Sequence, residues 1–244
     1  MRSGQDTTGT LYGIGVGPGD PELMTLKAVR LIEEADVVAA PDNGTGESLA
    51  FEIASGALPA LVLKPLVRLA MPMVRDKAVL AECHEAAAKT VAGLLEAGKN
   101  VAFLTLGDPT VYSTYIYVHK KVLAMGFEAE IVPGVPSFCA AAARLGISLA
   151  ENAEAIHVIP ASYHGVEEGL SWPGTKVLMK AGRSFSALRE KMRGRGMNAQ
   201  MVQRCGLEGE KLFRSLEEAD EESSYFSVII ARDGGPACEG PAKQ

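Results

Sequence analysis

Three short loops rich in glycine and proline carry the groups in this sequence that could bind a ligand. They read Gly-Ile-Gly-Val-Gly-Pro-Gly-Asp over residues 13–20, Leu-Gly-Asp-Pro over residues 106–109, and Val-Pro-Gly-Val-Pro-Ser over residues 132–137. Each loop follows a predicted β-strand, and the strand before the second loop is a mainly apolar run of the kind that is buried in a sheet. In open parallel sheets, ligands bind outside the carboxyl ends of strands. The placement of the loops therefore indicates a binding edge.

The second loop has the most varied chemistry. Residues 101–106 are apolar except for Thr105, which predicts a strand buried on both faces. The run ends at Gly107-Asp108-Pro109, because a proline lacks the N–H that a central strand needs. Hydroxyl side chains follow at Thr110, Tyr112, Ser113 and Thr114. The order predicts a ligand site, although a strand, a turn and a helix cap without a ligand would also explain it.

The first loop leaves two interpretations open after two others are excluded. A dinucleotide site needs Gly-x-Gly-x-x-Gly, and neither Gly13 nor Gly15 starts that spacing. A phosphate-binding Walker loop ends in Gly-Lys-Ser or Gly-Lys-Thr, which residues 13–20 do not contain. The remaining interpretations are a tight turn and a close approach of the Gly17 backbone to another ligand, which a β-carbon would prevent.

Composition and charge narrow the class of protein. The chain has 244 residues, of which 47% are hydrophobic and 22% charged, as in soluble globular proteins with a sizeable core. No apolar run approaches the roughly 20 residues that span a bilayer, and residues 1–10 lack the apolar centre of a signal peptide. A net charge of −6 argues against general nucleic-acid binding, but a local basic pocket could still hold an anionic small molecule.

The cysteines and histidines do not form a metal-binding pattern. The four cysteines are scattered without metal-ligand spacing, so we predict no metal site. Cys83 and Cys139 lie in Ala-rich apolar stretches, which predicts buried free thiols. Reduced thiols and the lack of an export signal predict a cytoplasmic protein. His84 and His119 lie on predicted helices, and we expect both to be structural.

Alternating strands and helices predict a doubly wound, mostly parallel sheet for the first half of the chain. The predicted strands are residues 11–16, 37–40, 61–63, 101–106 and 128–132. In the second half, residues 155–160, 176–180, 200–204 and 226–231 read as strands, with helices over residues 184–193 and 215–222. This half predicts a smaller α/β domain on a mixed sheet. We place the domains at residues 10–125 and 126–240, with a break near residue 151 as the alternative.

The three loops, in this order and each after a strand, resemble the tetrapyrrole methylases, which are S-adenosylmethionine-dependent enzymes of cobalamin and sirohaem synthesis. The resemblance covers about residues 11 to 232. Tyr112-Ser113-Thr114, directly after Gly-Asp-Pro, is similar to the branch that methylates C-20 of precorrin-2 or cobalt-factor II. The stretch Met-Pro-Met-Val-Arg-Asp over residues 71–76 is similar to the same branch.

The resemblance implies two α/β domains with S-adenosylmethionine in the cleft between them, usually in a homodimer, and S-adenosylhomocysteine as product. It implies cofactor contacts at Pro18, Leu106, Gly107, Asp108, Val111, Pro136, Ser137, Lys180 and Gly206. The hydroxyls of Ser113, Thr114 and Ser137 could bind the cofactor or only cap helices. Asp108 could accept a hydrogen bond from the methionyl ammonium or only cap a turn. Lys180 departs from the family, where methionine is common. Pro41 stands where the uroporphyrinogen branch has an acid proposed as a proton acceptor.

The implied substrate is a reduced tetrapyrrole with eight carboxylates and an enamine-like meso carbon that is already nucleophilic. Alignment of donor and acceptor could therefore suffice, and no residue stands out as a catalytic base. Basic candidates for the carboxylates are Lys64, Arg68, Arg75, Lys77 and Arg183, each of which could equally be a solvated surface charge, and Gly17 could approach the substrate. Alternatives are another tetrapyrrole regiospecificity, protein methylation as in diphthine synthase, and a non-catalytic nucleotide-binding module.

Overall fold

Two units, each built on its own sheet, divide the chain between Pro136 and Ser137. The structure is a computed structural model that describes residues 8–44, 46–74, 76–161, 165–219 and 226–234. Both sheets have five strands in this part of the chain. The first sheet is parallel throughout and the second is mixed, as the sequence predicts.

The first unit alternates strands with helices. Its strands are β1 (Thr10–Gly15), β2 (Val37–Asp42), β3 (Leu66–Ala70), β4 (Val101–Thr105) and β5 (Glu128–Val132). Its α-helices are α1 (Leu26–Glu34), α2 (Leu49–Ala57), α3 (Lys77–Glu96) and α4 (Tyr115–Ala124), and short 3₁₀ helices cover Pro21–Leu23 and Pro59–Leu63. The strands lie in the order β3-β2-β4-β1-β5.

Side-chain caps set the starts of two of these helices. The Thr25 hydroxyl accepts a hydrogen bond from the Ala28 N–H at the start of α1. The Asp76 carboxylate accepts from the Ala78 and Val79 N–H groups at the start of α3. These caps satisfy N–H groups that have no partner inside the helix.

At the centre of the first sheet both faces are buried, which explains why β4 and most of β2 are apolar without alternation. On one face, Phe103 of β4 packs with α3 and α4 in a cluster that includes Val91 and Tyr115. The neighbouring strand residues Ala102 and Leu104 point the other way and are also fully buried. Helix α2 contacts β2 and β4, and α1 contacts β1. The sheet is therefore covered by helices on both sides.

The order of the strands creates a switch point between β4 and β1. The chain leaves β1 through α1 toward β2, which lies on the far side of β4. It leaves β4 in the opposite direction, through α4 toward β5 on the far side of β1. Ligands of open α/β sheets bind outside the carboxyl ends of strands at such a point. Here those ends carry the first two glycine loops.

The second unit begins with α5 (Ser137–Leu145). Its further helices are α6 (Val166–Ser171) and α7 (Phe185–Gly194), and 3₁₀ helices cover Gly182–Ser184 and Leu216–Glu218. Its strands are β6 (Ile156–Pro160), β7 (Thr175–Met179), β8 (Asn198–Gln203), β9 (Lys211–Phe213) and β10 (Ser227–Arg232). They lie in the order β6-β7-β10-β8-β9, and β6 with β7 is the parallel pair.

The core of the second unit lies against α7. Phe185 and Leu188 of α7 pack with Leu178, Met201 and Ile229 from three strands. Lys176 of β7 has a fully buried side chain, and its ammonium group forms an ion pair with the exposed Asp233. A buried lysine needs such a partner, because an unpaired charge is costly to remove from water.

The predicted third strand is wrong. Residues 61–63 lie in a 3₁₀ helix, and the strand is Leu66–Ala70. A short apolar run does not distinguish a strand from a helical turn, and Pro59 is well suited to the first turn of a helix. Strand β9 and helix α6 were not predicted, because both are short. Of the predicted helix over residues 215–222, residues 216–218 are 3₁₀ and residues 220–222 lie outside the described part.

Strand β5 places the division between the units later than the predicted residue 125. It pairs with β1 over five positions from Thr10↔Glu128 to Ile14↔Val132, and so belongs to the first sheet. The prediction of a buried Cys139 is also wrong. This thiol is exposed, because Ala140, Ala141 and Leu145 form the buried face of α5. Cys83 is half-buried, and Cys238 lies outside the described residues.

No helix in the described part of the chain is both long enough and apolar enough to span a membrane.

Candidate ligand site at the carboxyl edge of the first sheet

The first and second loops are joined directly through their backbones. The Gly107 N–H donates to the Gly17 carbonyl at 2.7 Å, and the Gly17 N–H donates to the Gly107 carbonyl at 3.3 Å. The pair forms an isolated antiparallel bridge beyond the ends of β1 and β4. Because two hydrogen bonds fix their separation, the two loops form one continuous surface at the switch point.

The Asp108 carboxylate joins the second loop to the third. Its Oδ2 accepts a hydrogen bond from the Gly134 N–H at 3.0 Å. Its Oδ1 accepts from the Thr110 N–H at 2.8 Å and from the Thr110 hydroxyl. Asp108 is only 8% exposed, so these bonds lie where water competes little. Asp108 therefore caps its own turn, which is one of the two interpretations of this residue from the sequence. It also links that turn to the loop after β5.

Two glycines allow the three loops to touch. A β-carbon at Gly15 would lie 2.6 Å from the Gly107 carbonyl oxygen and 2.7 Å from the Gly134 nitrogen. A β-carbon at Gly134 would lie 2.2 Å from the Gly107 carbonyl oxygen. These contacts are shorter than any that a side chain tolerates, so both positions require glycine for packing between the loops. The glycine-rich sequences thus reflect loop packing in addition to any ligand.

Gly17 and Gly107 require glycine for a different reason, their backbone conformation. Their φ angles are +78° and +69°, in the left-handed region that side chains rarely adopt. Gly107 is buried, yet a β-carbon there would meet no protein atom within 4 Å. Space for a ligand atom therefore exists beside Gly107. For Gly17, the tight-turn interpretation accounts for the glycine without a ligand.

The hydroxyl groups after the second loop are partly used by the protein. Ser113 shares a hydrogen bond of 2.7 Å with the Thr105 hydroxyl at the end of β4. The Ser113 oxygen also accepts from the Tyr115 N–H at 3.2 Å, which caps the start of α4. Thr114 is exposed, and its side chain makes no capping bond. Ser113 thus serves the helix start, whether or not it also contacts a ligand.

The Tyr115 ring packs directly on the first strand. A β-carbon at Gly13 would lie 1.9 Å from Tyr115 Cζ, so glycine at this position makes room for the ring. The Tyr115 hydroxyl lies 2.9 Å from His119 Nδ1 and within 3.4 Å of the Glu130 carbonyl. Burial raises the pKa of the Tyr115 phenol, and a hydrogen bond with the Gly13 backbone opposes this only in part. The phenol therefore stays protonated and acts in packing.

Most of the remaining cofactor candidates in the first unit lie beside the joined loops. Pro18 is buried next to Gly17, and Leu106 and Val111 are half-buried on either side of the Asp108 turn. Pro136 ends the third loop, and Ser137 is the first residue of α5. The structure thus brings Pro18, Leu106, Gly107, Asp108, Val111 and Ser113 to one edge of the first sheet.

Lys180 and Gly206 share one edge of the second sheet. They follow β7 and β8, which are both antiparallel to β10 and so end on the same side. Lys180 has a left-handed backbone, with φ +59°, and burial lowers the pKa of its ammonium. The Gly206 N–H donates to the Glu210 carboxylate at 2.7 Å. Their cofactor role stays a prediction.

The basic substrate candidates do not form one group. Lys64 precedes β3 and so lies at the amino edge of the sheet, where its Nζ donates to the Glu33 and Ala35 carbonyls at 2.8 and 2.6 Å. The structure therefore separates Lys64 from the glycine loops, which lie at the carboxyl edge. Arg68 is exposed in the edge strand β3, beside a groove against α3 of about 400 Å³.

Other basic candidates are less well defined. Lys77 is exposed at the first position of α3. Arg75 and the side chain of Arg183 lie outside the described residues. Among the described residues, the carboxyl edge is built mainly from backbone groups and short side chains.

Sequence reasoning did not single out two residues that the structure places at this edge. Gly134 receives the Asp108 link, and Thr105 pairs with Ser113. Gly134 left a signal in the sequence, since it lies in the third loop, whereas the hydrogen bond of Thr105 leaves no local pattern. Tyr112 was named among the hydroxyls after the second loop, but its strained backbone was not predicted.

Metal binding finds no support in the part of the chain that the structure describes, since it holds no group of three His, Cys, Asp or Glu side chains suited to a metal ion. His84 and His119 are buried on α3 and α4, where His84 stacks on Tyr117 at 4.7 Å and His119 meets Tyr115.

A parallel sheet with three joined loops at its switch point defines an α/β protein of the class that binds its ligand at the carboxyl ends of strands. The chain belongs to the tetrapyrrole (corrin/porphyrin) methylases, and the model of that family matches residues 10–220. The motif resemblance in the sequence is therefore confirmed at the level of the family.

Known relatives extend along nearly the whole chain. A precorrin-2 C(20)-methyltransferase of a Sinorhizobium species is 33% identical over 239 residues, covering 91% of this chain and 94% of that protein. The cobalamin biosynthesis protein CobIJ of Mycobacterium tuberculosis is 35% identical over 236 residues, covering 93% of this chain. The chain spans about half, 46%, of CobIJ.

A solved structure shares the fold. The uroporphyrin-III C-methyl transferase of Thermus thermophilus, complexed with S-adenosyl homocysteine, matches with a TM-score of 0.66 at 23% identity. The match covers 92% of this chain and 97% of that one.

Proposed function

We propose that this protein is an S-adenosylmethionine-dependent methyltransferase that adds a methyl group to C-20 of precorrin-2 or its cobalt complex in cobalamin biosynthesis. The Sinorhizobium relative, named for C-20 methylation of precorrin-2, matches 91% of the chain. Tyr112-Ser113-Thr114 and residues 71–76 are similar to the same branch.

One structural observation carries the proposal of a methyl donor site. Three loops from β1, β4 and β5 are joined at a switch point, and space beside Gly107 is left open. The groups at this edge are backbone N–H and carbonyl groups, side-chain hydroxyls and half-buried apolar side chains. These suit a compact ligand with an apolar ring system and an amino acid end that carries both charges. A complex of the Thermus protein with S-adenosyl homocysteine supports the same ligand class.

The cofactor contacts that we propose in the first unit are Pro18, Leu106, Gly107, Val111, Ser113, Thr114, Pro136 and Ser137. Asp108 joins them chiefly as the link between loops, because its two oxygens already accept three hydrogen bonds. S-adenosylmethionine, when bound, supplies the methyl group from its sulfonium. Lys180 and Gly206 are the proposed contacts in the second unit.

The protein's own contribution is mainly alignment. A meso carbon of a reduced tetrapyrrole is enamine-like, so it does not need a strong base before it attacks. Rigid loops that hold donor and acceptor in line can lower such a barrier by roughly 7–11 kcal/mol. The two hydrogen bonds between Gly17 and Gly107, and the bond from the Gly134 N–H to Asp108, give these loops that rigidity.

The proposal is tested by anaerobic incubation of the protein with S-adenosylmethionine and either precorrin-2 or its cobalt complex. We expect a single added methyl group by mass spectrometry and its assignment to C-20 by carbon NMR. Methylation at another carbon would keep the family and reject the C-20 assignment. Transfer to neither compound, with intact binding of S-adenosylhomocysteine, would favour methylation of a protein instead.

We infer two further properties. The family resemblance implies a homodimer, and the reduced thiols with no export signal predict a cytoplasmic protein. Sedimentation equilibrium of the purified protein tests the first point, since a dimer has twice the 25.7 kDa of the chain. Fractionation of the producing cells tests the second.

A further inference from the structure

Tyr112 has a backbone conformation that its side chain disfavours. Its φ is +51°, in the left-handed region. Among the described residues, Asn152, Lys180 and Arg204 are the other non-glycine positions with a positive φ. Asparagine enters this region with little difficulty, whereas a bulky aromatic residue there is a genuine outlier. The conformation of Tyr112 therefore calls for a cause.

Hydrogen bonds on both sides of Tyr112 supply the mechanical cause. On the amino side, the Val111 N–H donates to the Asp108 carbonyl at 3.2 Å, and Asp108 itself is held by Thr110 and Gly134. On the carboxyl side, Ser113 is bonded to Thr105 and caps α4. A strained residue persists when its surroundings determine its conformation to this degree, and such residues cluster at functional sites.

The side chain on this anchored backbone is partly exposed. Tyr112 is 43% exposed at the carboxyl edge of β4, next to the cofactor candidates Val111 and Ser113. Partial burial raises the pKa of its phenol, so the side chain stays neutral. A neutral aromatic surface does not repel a substrate with eight carboxylates, and it can contact the flat apolar face of a macrocycle.

We propose that Tyr112 is a substrate-positioning residue whose ring, fixed by the anchored turn of residues 108–113, packs against the tetrapyrrole macrocycle. The inference rests on the proposed function and adds the residue that selects a flat, extended substrate. The ring contributes apolar contact area, and the anchored backbone means that little conformational entropy is lost on binding.

Three variants test the inference by steady-state kinetics with precorrin-2 and S-adenosylmethionine. Tyr112→Asn removes the ring and suits the left-handed backbone, so the variant folds without the strain. We expect its KM for precorrin-2 to rise roughly two- to tenfold, the range of an aromatic contact. We also expect its melting temperature to be no lower than that of the wild type.

Tyr112→Phe keeps the ring, so its KM for precorrin-2 should stay within about twofold of the wild-type value. Such a change is smaller than the loss of one aromatic contact would cause. Tyr117→Asn is the matched control, because Tyr117 is also exposed, at 52%, but lies on α4 against His84. This control should leave both KM values unchanged. The dissociation constant of S-adenosylhomocysteine should be unchanged in all three variants.

Four outcomes would overturn the inference. An unchanged precorrin-2 KM in Tyr112→Asn would show that the ring does not meet the substrate. A rise confined to the KM of S-adenosylmethionine would assign the ring to the cofactor instead. An equal loss in Tyr112→Phe would assign the effect to the hydroxyl. Finally, a wild-type protein that binds S-adenosylhomocysteine but methylates neither precorrin-2 nor its cobalt complex would remove the proposed function and this inference with it.

Discussion

Single side chains decide whether the loops at the carboxyl edge stay together. Asp108 is the clearest case, because one carboxylate bonds to its own turn and to the Gly134 N–H at the end of another strand. We expect such an aspartate to affect ligand binding even without touching the ligand, since the loops that it joins carry the proposed cofactor contacts.

Asp108→Asn tests this role. An amide can accept from Gly134 or from Thr110 but not from both, so we expect the free energy of unfolding to fall by about 1.5–3 kcal/mol. Binding of S-adenosylhomocysteine should weaken in the same variant. Urea unfolding and calorimetry give the two quantities.

Thr110→Val is the control for Asp108→Asn, because it removes only a hydroxyl at an exposed position. We expect a stability loss of about 0.5–1.5 kcal/mol, as for one ordinary hydrogen bond. If Asp108→Asn weakened ligand binding without any loss of stability, Asp108 would be a direct contact to the ammonium, as the sequence suggests.

Lys64 is a predicted substrate contact that instead has a structural role in the fold. Its Nζ donates to the Glu33 and Ala35 carbonyls at the end of α1. Lysine at a helix carboxyl end satisfies free carbonyls and the helix dipole. We expect Lys64→Met to lower the free energy of unfolding by about 1 kcal/mol and to leave the KM for precorrin-2 unchanged.

Lys99→Met is the matched control for Lys64→Met, because Lys99 is exposed in the turn before β4. Its stability should change by less than about 0.5 kcal/mol. A marked rise in KM for Lys64→Met at normal stability would return Lys64 to the substrate site.

At the level of whole elements, the packing of α4 on β1 determines where the second loop lies. The Tyr115 ring fills the space that Gly13 leaves above the strand, and the centroids of the Tyr115 and Phe103 rings lie 5.2 Å apart. The start of α4 is tied to β4 through Ser113 and Thr105. Strand, loop and helix therefore form one rigid block within the first unit.

Gly13→Ala tests this block. A methyl group 1.9 Å from Tyr115 Cζ must displace the ring, so we expect a loss of about 1–3 kcal/mol in the free energy of unfolding. Gly93→Ala is the control, because Gly93 lies inside α3 with no atom near its would-be β-carbon. This second change should stabilise the protein by about 0.5–1 kcal/mol. A neutral Gly13→Ala in chemical denaturation would show that the ring is not confined.

For the molecule as a whole, two buried histidines predict a loss of stability in mild acid. Burial lowers the pKa of His84, with a smaller contribution from Lys121, and burial alone lowers that of His119. Both pKa values lie below the ordinary 6.5, so the unfolded chain takes up protons first as the pH falls. The stability from these neutral histidines is present above about pH 6.5 and is lost below it.

The measurement is urea unfolding between about pH 7.5 and 5.5 for the wild type and for a variant with His84→Gln and His119→Gln. As the pH falls, the free energy of unfolding should decrease more steeply in the wild type than in the variant. The difference in slope is up to about 1.4 kcal/mol per pH unit for each histidine. The carboxylates titrate in both proteins, so the difference isolates the histidines. Parallel curves would assign the acid sensitivity to other groups.

The local sequence was sufficient to predict the class of fold and the edge of the first sheet that carries the three loops. Apolar runs such as residues 101–104 predict buried parallel strands, because both faces of such strands must be apolar. The turns after them predict loops, because glycine and proline act on the backbone where they stand. The order of the three motifs identified the family.

Only the tertiary structure decided which of these residues act on one another. Four features depend on contacts between residues that are apart in the chain. They are the bond between Asp108 and Gly134, the position of Lys64 at the amino edge, the addition of β5 to the first sheet and the backbone strain at Tyr112. Local propensity carries no information on such contacts, because their free energy arises when strands pair and helices pack. The sequence by itself thus determined the strands, the loops after them and the family, and the fold decided which side chains hold those loops in place.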